Sequence, residues 1–418
     1  LVSVKFLLVK TALMLHTVSF FLTLTLLFCC RVASAWSQDA PFAVPVGLEA
    51  AVEFWKQIFS SYGTGDVVLF DPVDPGKIYR VLRVPENDQG RALVSKERAR
   101  IAAEYELADD ESRIRSQRGA KEHFAEGLKI SGRYMAQMQK IFRDEGLPAE
   151  LAYLPFVESS FNVRARSGVG AVGMWQFMAE TGKKFLRIDA AIDERRDPMA
   201  STRAAARLLK QNYQILGSWP LALTAYNHGT EGIFRGIKAV QSRDLVELIR
   251  RYESPSFGFA SKNFYAEFLA VVEIATHSES YFPFLRPHQP VMLREVAMKT
   301  ATALHALLKP AAISQSEFFQ WNPALEANTK VLPSGYSVRL PAEKVDPFLA
   351  AQSRVLEPAP VKKNLPAKSP GNSSTAKLRG ANAKRSVTST DIRAKAKAAP
   401  QSAKRPAVKS QPLKLASR

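Results

Sequence analysis

Glu158 ends the apolar run Pro155-Phe156-Val157 and is followed by the short polar groups Ser159, Ser160 and Asn162. A carboxylate in apolar surroundings loses hydration in its charged form, so its pKa rises. Such a group can hold a proton near neutral pH and deliver it to a reacting atom. About nine residues on comes the turn Ser167-Gly168-Val169-Gly170-Ala171-Val172-Gly173, then the apolar run Met174-Trp175-Gln176-Phe177-Met178. Glycines there let the backbone approach a ligand closely. A second polar patch, Thr224-Ala225-Tyr226-Asn227-His228-Gly229, offers a tyrosine that can hydrogen-bond either a glutamate carboxylate or a sugar. On residue types alone, a Glu that caps or pairs at a helix end is the competing reading.

These groups need elements to position them, and the pattern is mainly helical. Leu48, Val52, Trp55 and Phe59 recur at helical spacing. Val67–Phe70 and Ile78–Leu82 read as short strands split by Asp-Pro turns, and the charged stretch 86–120 reads as helix. From 121 on, Phe124, Leu128, Met135, Met138 and Phe142 line one helical face. Gly146 stops that pattern, and Pro148 opens a helix to about Glu158, bent at Pro155. Asp197-Pro198 caps an Ala-rich helix that Gly217 ends. Pro220 opens a short helix ended by Gly229, and residues 262–276 form another. Residues 290–348 read as a small mixed α/β module around Trp321-Asn322-Pro323, with a first strand poorly marked near Val291–Val296.

The formal charge of +19 over 418 residues looks like a nucleic-acid signal until it is located. Residues 1–35 hold +3 and residues 359–418 hold +14, which leaves about +2 for 36–358. Residues 1–35 read as an export signal: Lys5 and Lys10, an apolar stretch, then Val32-Ala33-Ser34-Ala35 before Trp36. An uncleaved membrane anchor is the alternative reading of that stretch. Both cysteines, Cys29 and Cys30, lie inside it, which leaves no disulfide or thiol chemistry beyond it. The six histidines show no ligand spacing, so neither a metal nor another cofactor is expected. From 352 to 418 the chain is Lys, Ala, Pro and Ser, a composition that cannot bury enough surface to fold alone, and this basic tail is expected to be disordered. It lacks the interleaved aromatics of nucleic-acid binders, which leaves an anionic membrane surface, a wall polymer or no specific partner.

Together E-S-S-F-N, S-G-V-G-A-V-G-M-W-Q-F-M, R-R-D-P and A-Y-N-H-G, in this order and spacing, resemble the catalytic domain of soluble-type lytic transglycosylases. The preceding I-F-R-D-E-G-L-P-A-E-L-A-Y-L-P-F-V makes the chain most similar to the membrane-bound transglycosylase D subgroup. The resemblance implies a lysozyme-like α-helical domain of the goose-type lysozyme sort over 116–282, after an N-terminal extension at 36–115. It also implies a degenerate lysin-motif-like module at 290–348. The expected reaction is cleavage of the β-1,4 bond between N-acetylmuramic acid and N-acetylglucosamine in peptidoglycan, with closure of a 1,6-anhydro ring. Glu158 would serve as acid and then base. Ser167 would orient the acetamido group or the glutamate, and Tyr226 would hydrogen-bond near Glu158. Gln176 and Asn227 would line the groove, with Met174 and Met178 as apolar walls. Arg195, Arg196 and Asp197 read better as a structural charge cluster than as substrate contacts. His228 stands where many relatives carry a small residue.

The partner so implied is the peptidoglycan glycan strand, in the periplasm or cell envelope after export. Two rivals remain from sequence. One is a goose-type lysozyme-like hydrolase with water as nucleophile. The other is a non-catalytic peptidoglycan-binding protein that keeps the groove without a competent acid.

Overall fold

A computed structural model describes residues 41–107 and 110–356. The export signal and most of the basic tail lie outside the described residues. Helix α1 (Glu49–Ser60) buries Val52, Phe54, Trp55, Ile58 and Phe59, as its apolar spacing requires. A three-stranded antiparallel sheet follows, with β1 (Asp66–Phe70) between β2 (Ile78–Arg83) and β3 (Arg115–Arg118). Helix α2 (Asp88–Glu104) is capped by Asn87, whose side chain accepts the Gly90 amide. The expectation of helix throughout 86–120 is corrected here: residues 115–118 are a strand. Val67 to Phe70 of β1 would otherwise leave one edge unpaired, and the polar run R-S-Q-R fills it in register.

The helical body comprises α3 (Lys121–Ser131), α4 (Met135–Asp144), a 3₁₀ segment (Ala149–Tyr153) and α5 (Leu154–Ser159). It continues through α6 (Pro198–Leu216), α7 (Trp219–His228), α8 (Thr230–Val240), α9 (Leu245–Arg251) and α10 (Phe259–Thr276). The single bent helix expected from Pro148 to Glu158 is instead two pieces. Pro155 has no amide to donate and its ring crowds the preceding turn, so the α-helix begins with Pro155 in its first turn. Helix α6 follows its sequence signals: the Asp197 carboxylate accepts the Ala200 amide, Pro198 opens the first turn, and Gly217 ends it in the left-handed region. Helix α10 is buried nearly all round, which marks it as central. It packs on α1, α7, α5 and the 3₁₀ segment. One apolar core therefore runs from Leu48 to Ile274.

The C-terminal part has its own core, built on β4 (Leu293–Ala297) paired with β7 (Ser337–Pro341) and β5 (Thr302–Ala303) paired with β6 (Val331–Leu332). Helices α11 (Leu304–Leu308) and α12 (Gln315–Trp321) cover it, α12 closed by a Ser314–Glu317 capping box. Asn322 explains the W-N-P motif: fully buried, it donates to the carbonyls of Phe318 and Arg339 and accepts the Arg339 amide at 2.8 Å. Helix α13 (Ala342–Leu356) buries Phe348, Ala351 and Gln352. That corrects the tail boundary, since 352–356 are helical: once Phe348 and Ala351 dock α13 on the core, the helix runs on for a further turn beyond them.

The second core is tied to the helical body by the segment from Ile192 to Asp197. Ile192 belongs to it, the Asp193 amide donates to Ala324 at 2.8 Å, and Arg196 reaches Glu326 at 2.6 Å. Arg339 pairs with Asp197, the cap of α6, and with Glu295 at 3.2 Å. Replacing Asp197 by Ala removes a helix cap, worth about 1 kcal/mol, and strips a buried cation of a partner, which together should cost at least about 3 kcal/mol. Asp197→Asn keeps a cap acceptor and should lose less. Urea unfolding of both variants checks the ordering; equal losses would mean that the cap contributes nothing, and no loss in Asp197→Asn would mean that the ion pair contributes nothing.

Candidate active site

Helix α5 stops abruptly after Glu158. Ser160 and Phe161 both take left-handed backbone conformations, with φ of 50° and 61°, which is uncommon for residues with a Cβ. Fully buried Phe161 anchors that turn. The Ser159 hydroxyl donates to the Met174 carbonyl at 2.8 Å and so ties the helix end to the Gly-rich turn. Glu158 is thereby presented to a cavity of about 170 Å³ shared with Ser159, Ser160, Asn162, Ser167 and Gln176. Its far wall is the exposed face of α3, with His123 and Glu126.

The turn that faces Glu158 is held rigidly. Gly173 has φ of 83°, and a Cβ there would lie 1.8 Å from the Arg195 carbonyl oxygen, so only glycine fits. The Arg195 guanidinium forks onto the Asp193 carboxylate at 2.9 and 2.8 Å and also donates to the carbonyls of Gly170 and Phe177. Arg195, Arg196 and Asp197 are structural groups, as the sequence suggested. The Ser167 hydroxyl accepts the Ala171 amide at 3.0 Å, and the Gln176 amide nitrogen donates to the Gly173 carbonyl at 2.7 Å.

The Tyr226 hydroxyl donates to the Trp175 carbonyl at 2.8 Å. The sequence left a carboxylate or a sugar as its partner; the structure gives it a backbone carbonyl. Burial pushes the Tyr226 phenol well up, and the nearby Glu158 charge adds to that. Trp175 is fixed in turn by its indole N–H on Thr202 at 3.0 Å. Met174, expected as an apolar wall, is 1% exposed and belongs to the core. Met178 is exposed and Asn227 accepts the Ser261 hydroxyl at 2.9 Å; neither lines the cavity.

Electrostatics single out Glu158. Burial raises its pKa to about 8, and the charge of Glu267 adds to the rise. Glu267, on α10, is 2% exposed and is likewise raised to about 8 by burial. With both raised to about 8, the two carboxyls favour their protonated forms at neutral pH. Sequence reasoning missed Glu267, although the signal was the one used for Glu158: a single acid in the apolar run Phe264–Val272.

Residues 136–249 match the transglycosylase SLT domain. The SLT match takes in Glu158, Ser167, Gln176, Met178, Tyr226 and Asn227; it begins after His123 and Glu126 and ends before Glu267. The chain is 28% identical over 216 residues to membrane-bound lytic murein transglycosylase D of Escherichia coli strain K12, covering 51% of this chain and 47% of that protein. It is 35% identical over 91 residues to a transglycosylase of enterobacteria phage PRD1, covering 22% of this chain and 32% of the other. Among solved structures, an inactive variant of the lytic transglycosylase Slt from Pseudomonas aeruginosa aligns with 25% identity and a TM-score of 0.30, over 35% of this chain and 24% of that one. The chain spans about half the length or less of the curated relatives it matches.

The Glu267 carboxyl has a consequence for stability. An unfolded Glu ionises near pH 4.3, roughly, whereas Glu267 in the fold keeps its proton to about 8. Between those values the folded chain holds a proton that the unfolded chain has lost, so stability falls as pH rises, by up to about 1.4 kcal/mol per pH unit. Glu267→Gln should flatten that fall and leave the variant more stable than its parent near pH 8. Urea unfolding across this range tests it; parallel curves for the two proteins would show that Glu267 ionises as freely folded as unfolded.

Proposed function

We propose that this chain is a peptidoglycan lytic transglycosylase in which Glu158 is the acid and then the base. The observation that carries the reading is a carboxyl presented by the end of α5 to an open cavity yet held protonated by its dry surroundings. The SLT match over that segment supports it. Protonated Glu158 gives its hydrogen to the oxygen between N-acetylmuramic acid and N-acetylglucosamine. The bond from that oxygen to C1 of the muramic acid breaks, and the acetamido group stabilises the charge that develops there. The carboxylate left behind takes the proton of the C6 hydroxyl, which closes onto C1 as a 1,6-anhydro ring. Most glycosidases use two carboxyls, the second as nucleophile or to activate water. Here the attacking alcohol belongs to the substrate, which raises its effective concentration.

In this reading Ser167 orients the acetamido group, Gln176 shapes the groove floor, and Tyr226 keeps the Trp175–Gln176 backbone in place beneath the sugar. Met178 and Asn227 contact more distant parts of the strand. Residues 116–282 form the catalytic domain behind an extension at 36–115, and residues 290–348 act as a lysin-motif-like module that grips glycan. The site of action is the periplasm or cell envelope, reached by export. Among the described residues no helix is long and apolar enough to cross a membrane.

Glu158→Gln should lower release of anhydro-ended muropeptides from purified sacculi by about three orders of magnitude. Mass analysis of the digests measures this, and undiminished turnover would remove Glu158 from the chemistry. Products with reducing ends from the parent chain would assign lysozyme-like hydrolysis instead. Tyr226→Phe loses one hydrogen bond and should slow turnover roughly five- to ten-fold while strand binding holds. Unchanged turnover would make the Tyr226–Trp175 bond irrelevant to the reaction.

A further inference from the structure

A second and larger cavity, of about 640 Å³, lies between the helical body and the C-terminal core. That is the size of a small-molecule or oligosaccharide site. Its walls come from the corner between α3 and α4, the start of α6, the segment leading into β4, and the end of α12. The corner is pinned: the His288 amide donates to the Lys129 carbonyl at 2.9 Å and the Val291 amide to the Arg133 carbonyl at 3.3 Å. Gly132 is required there, since a Cβ would lie 2.4 Å from the His288 carbonyl oxygen. The cleft is therefore a built feature of the docked pair of cores.

Its lining joins aromatic faces to cations. Tyr134 and Trp321 are both half-buried, and rings so placed stack on the apolar faces of sugars. The cations are Arg133, Lys140 and Arg203, with Arg339 behind them, against a single acid, Glu295. Glu295 is already engaged by Arg339 at 3.2 Å and Arg203 at 3.7 Å, and Lys140 by Asp144 at 2.7 Å. Among the described residues no carboxylate pairs with Arg133. Among these residues Arg133 meets only the neutral Tyr134 hydroxyl, so its charge is not neutralised and is open to an anionic ligand.

The walls of the two cavities share one stretch of chain. Ile130 lines the one that holds Glu158, and Arg133 lines the other. Three residues of chain span at most about 11 Å. The two walls are therefore within the reach of a single extended polymer.

We propose that this cleft is a second site for the same polymer, in which Arg133 receives the carboxylates of the peptide stems carried by a glycan strand. This rests on the reading of Glu158 as acting on peptidoglycan, and it adds what selects the strand: its acidic stems, read outside the SLT match by a corner shared with the C-terminal core.

The test uses the full chain with Glu158→Gln, so that strands stay intact, and measures binding of purified soluble glycan strands with their peptide stems and after enzymatic removal of the stems. Arg133→Glu should weaken binding to stem-bearing strands about ten-fold or more and leave stem-free strands within about two-fold. Lys140→Glu is an independent second variant on the opposite side of the corner and should act in the same sense. Trp321→Ala should weaken both ligands. Equal loss on both ligands with Arg133→Glu and Lys140→Glu, or no loss on either, would overturn the proposal. The reading of Glu158 fails separately, through the products that the parent chain releases.

Discussion

The Glu158 carboxyl loses hydration because α5, α10 and the Gly-rich turn close around it, and each is held by contacts that have nothing to do with a substrate. Helix α10 brings Glu267 from one side, and Ser159 clamps the helix end to Met174 from the other. A charged carboxylate would be strongly disfavoured in such a place, so the group stays neutral and becomes an acid. The same dryness destabilises the fold at higher pH. The apolar core from Leu48 to Ile274 must offset that.

The turn opposite Glu158 depends on a short segment, Asp193 to Asp197. Arg195 faces inward and fixes Gly170 and Phe177, and its carbonyl packs against Gly173. Arg196 and Asp197 face outward and dock the C-terminal core. Adjacent residues thus serve the floor of one cavity and a wall of the other, so the position of the C-terminal core and the geometry facing Glu158 rest on the same few hydrogen bonds. The Arg195 fork onto Asp193 is stiff in direction as well as strong, which holds the Gly170 and Phe177 carbonyls in place.

Several site residues act through the backbone rather than by pointing at a ligand. Tyr226 holds Trp175, Gln176 holds Gly173, and Ser167 closes its own turn. Residue type suggested a carboxylate or a sugar for Tyr226, and the resemblance implied groove or acetamido roles for Gln176 and Ser167; a hydroxyl or an amide in a motif says nothing of which acceptor lies within reach. Gln176 and Ser167 still border the cavity, so their remaining donor and acceptor positions face the space a sugar would fill.

Sequence by itself determined the helical class, the ends of α6 at Asp197 and Gly217, the strands β1 and β2, and Glu158 as a single acid in an apolar run. These are local matters: a cap, a proline, a glycine or a hydrophobic period acts within a few residues of itself. Tertiary structure decided what depends on distant partners. Strand β3 exists because β1 had a free edge, Met174 is core because helices enclose it, and Glu267 matters because α10 crosses α5. The cleft at Arg133 has no sequence signature at all. Its walls come from five separate stretches, and only the docking of two cores brings their charges to face one another.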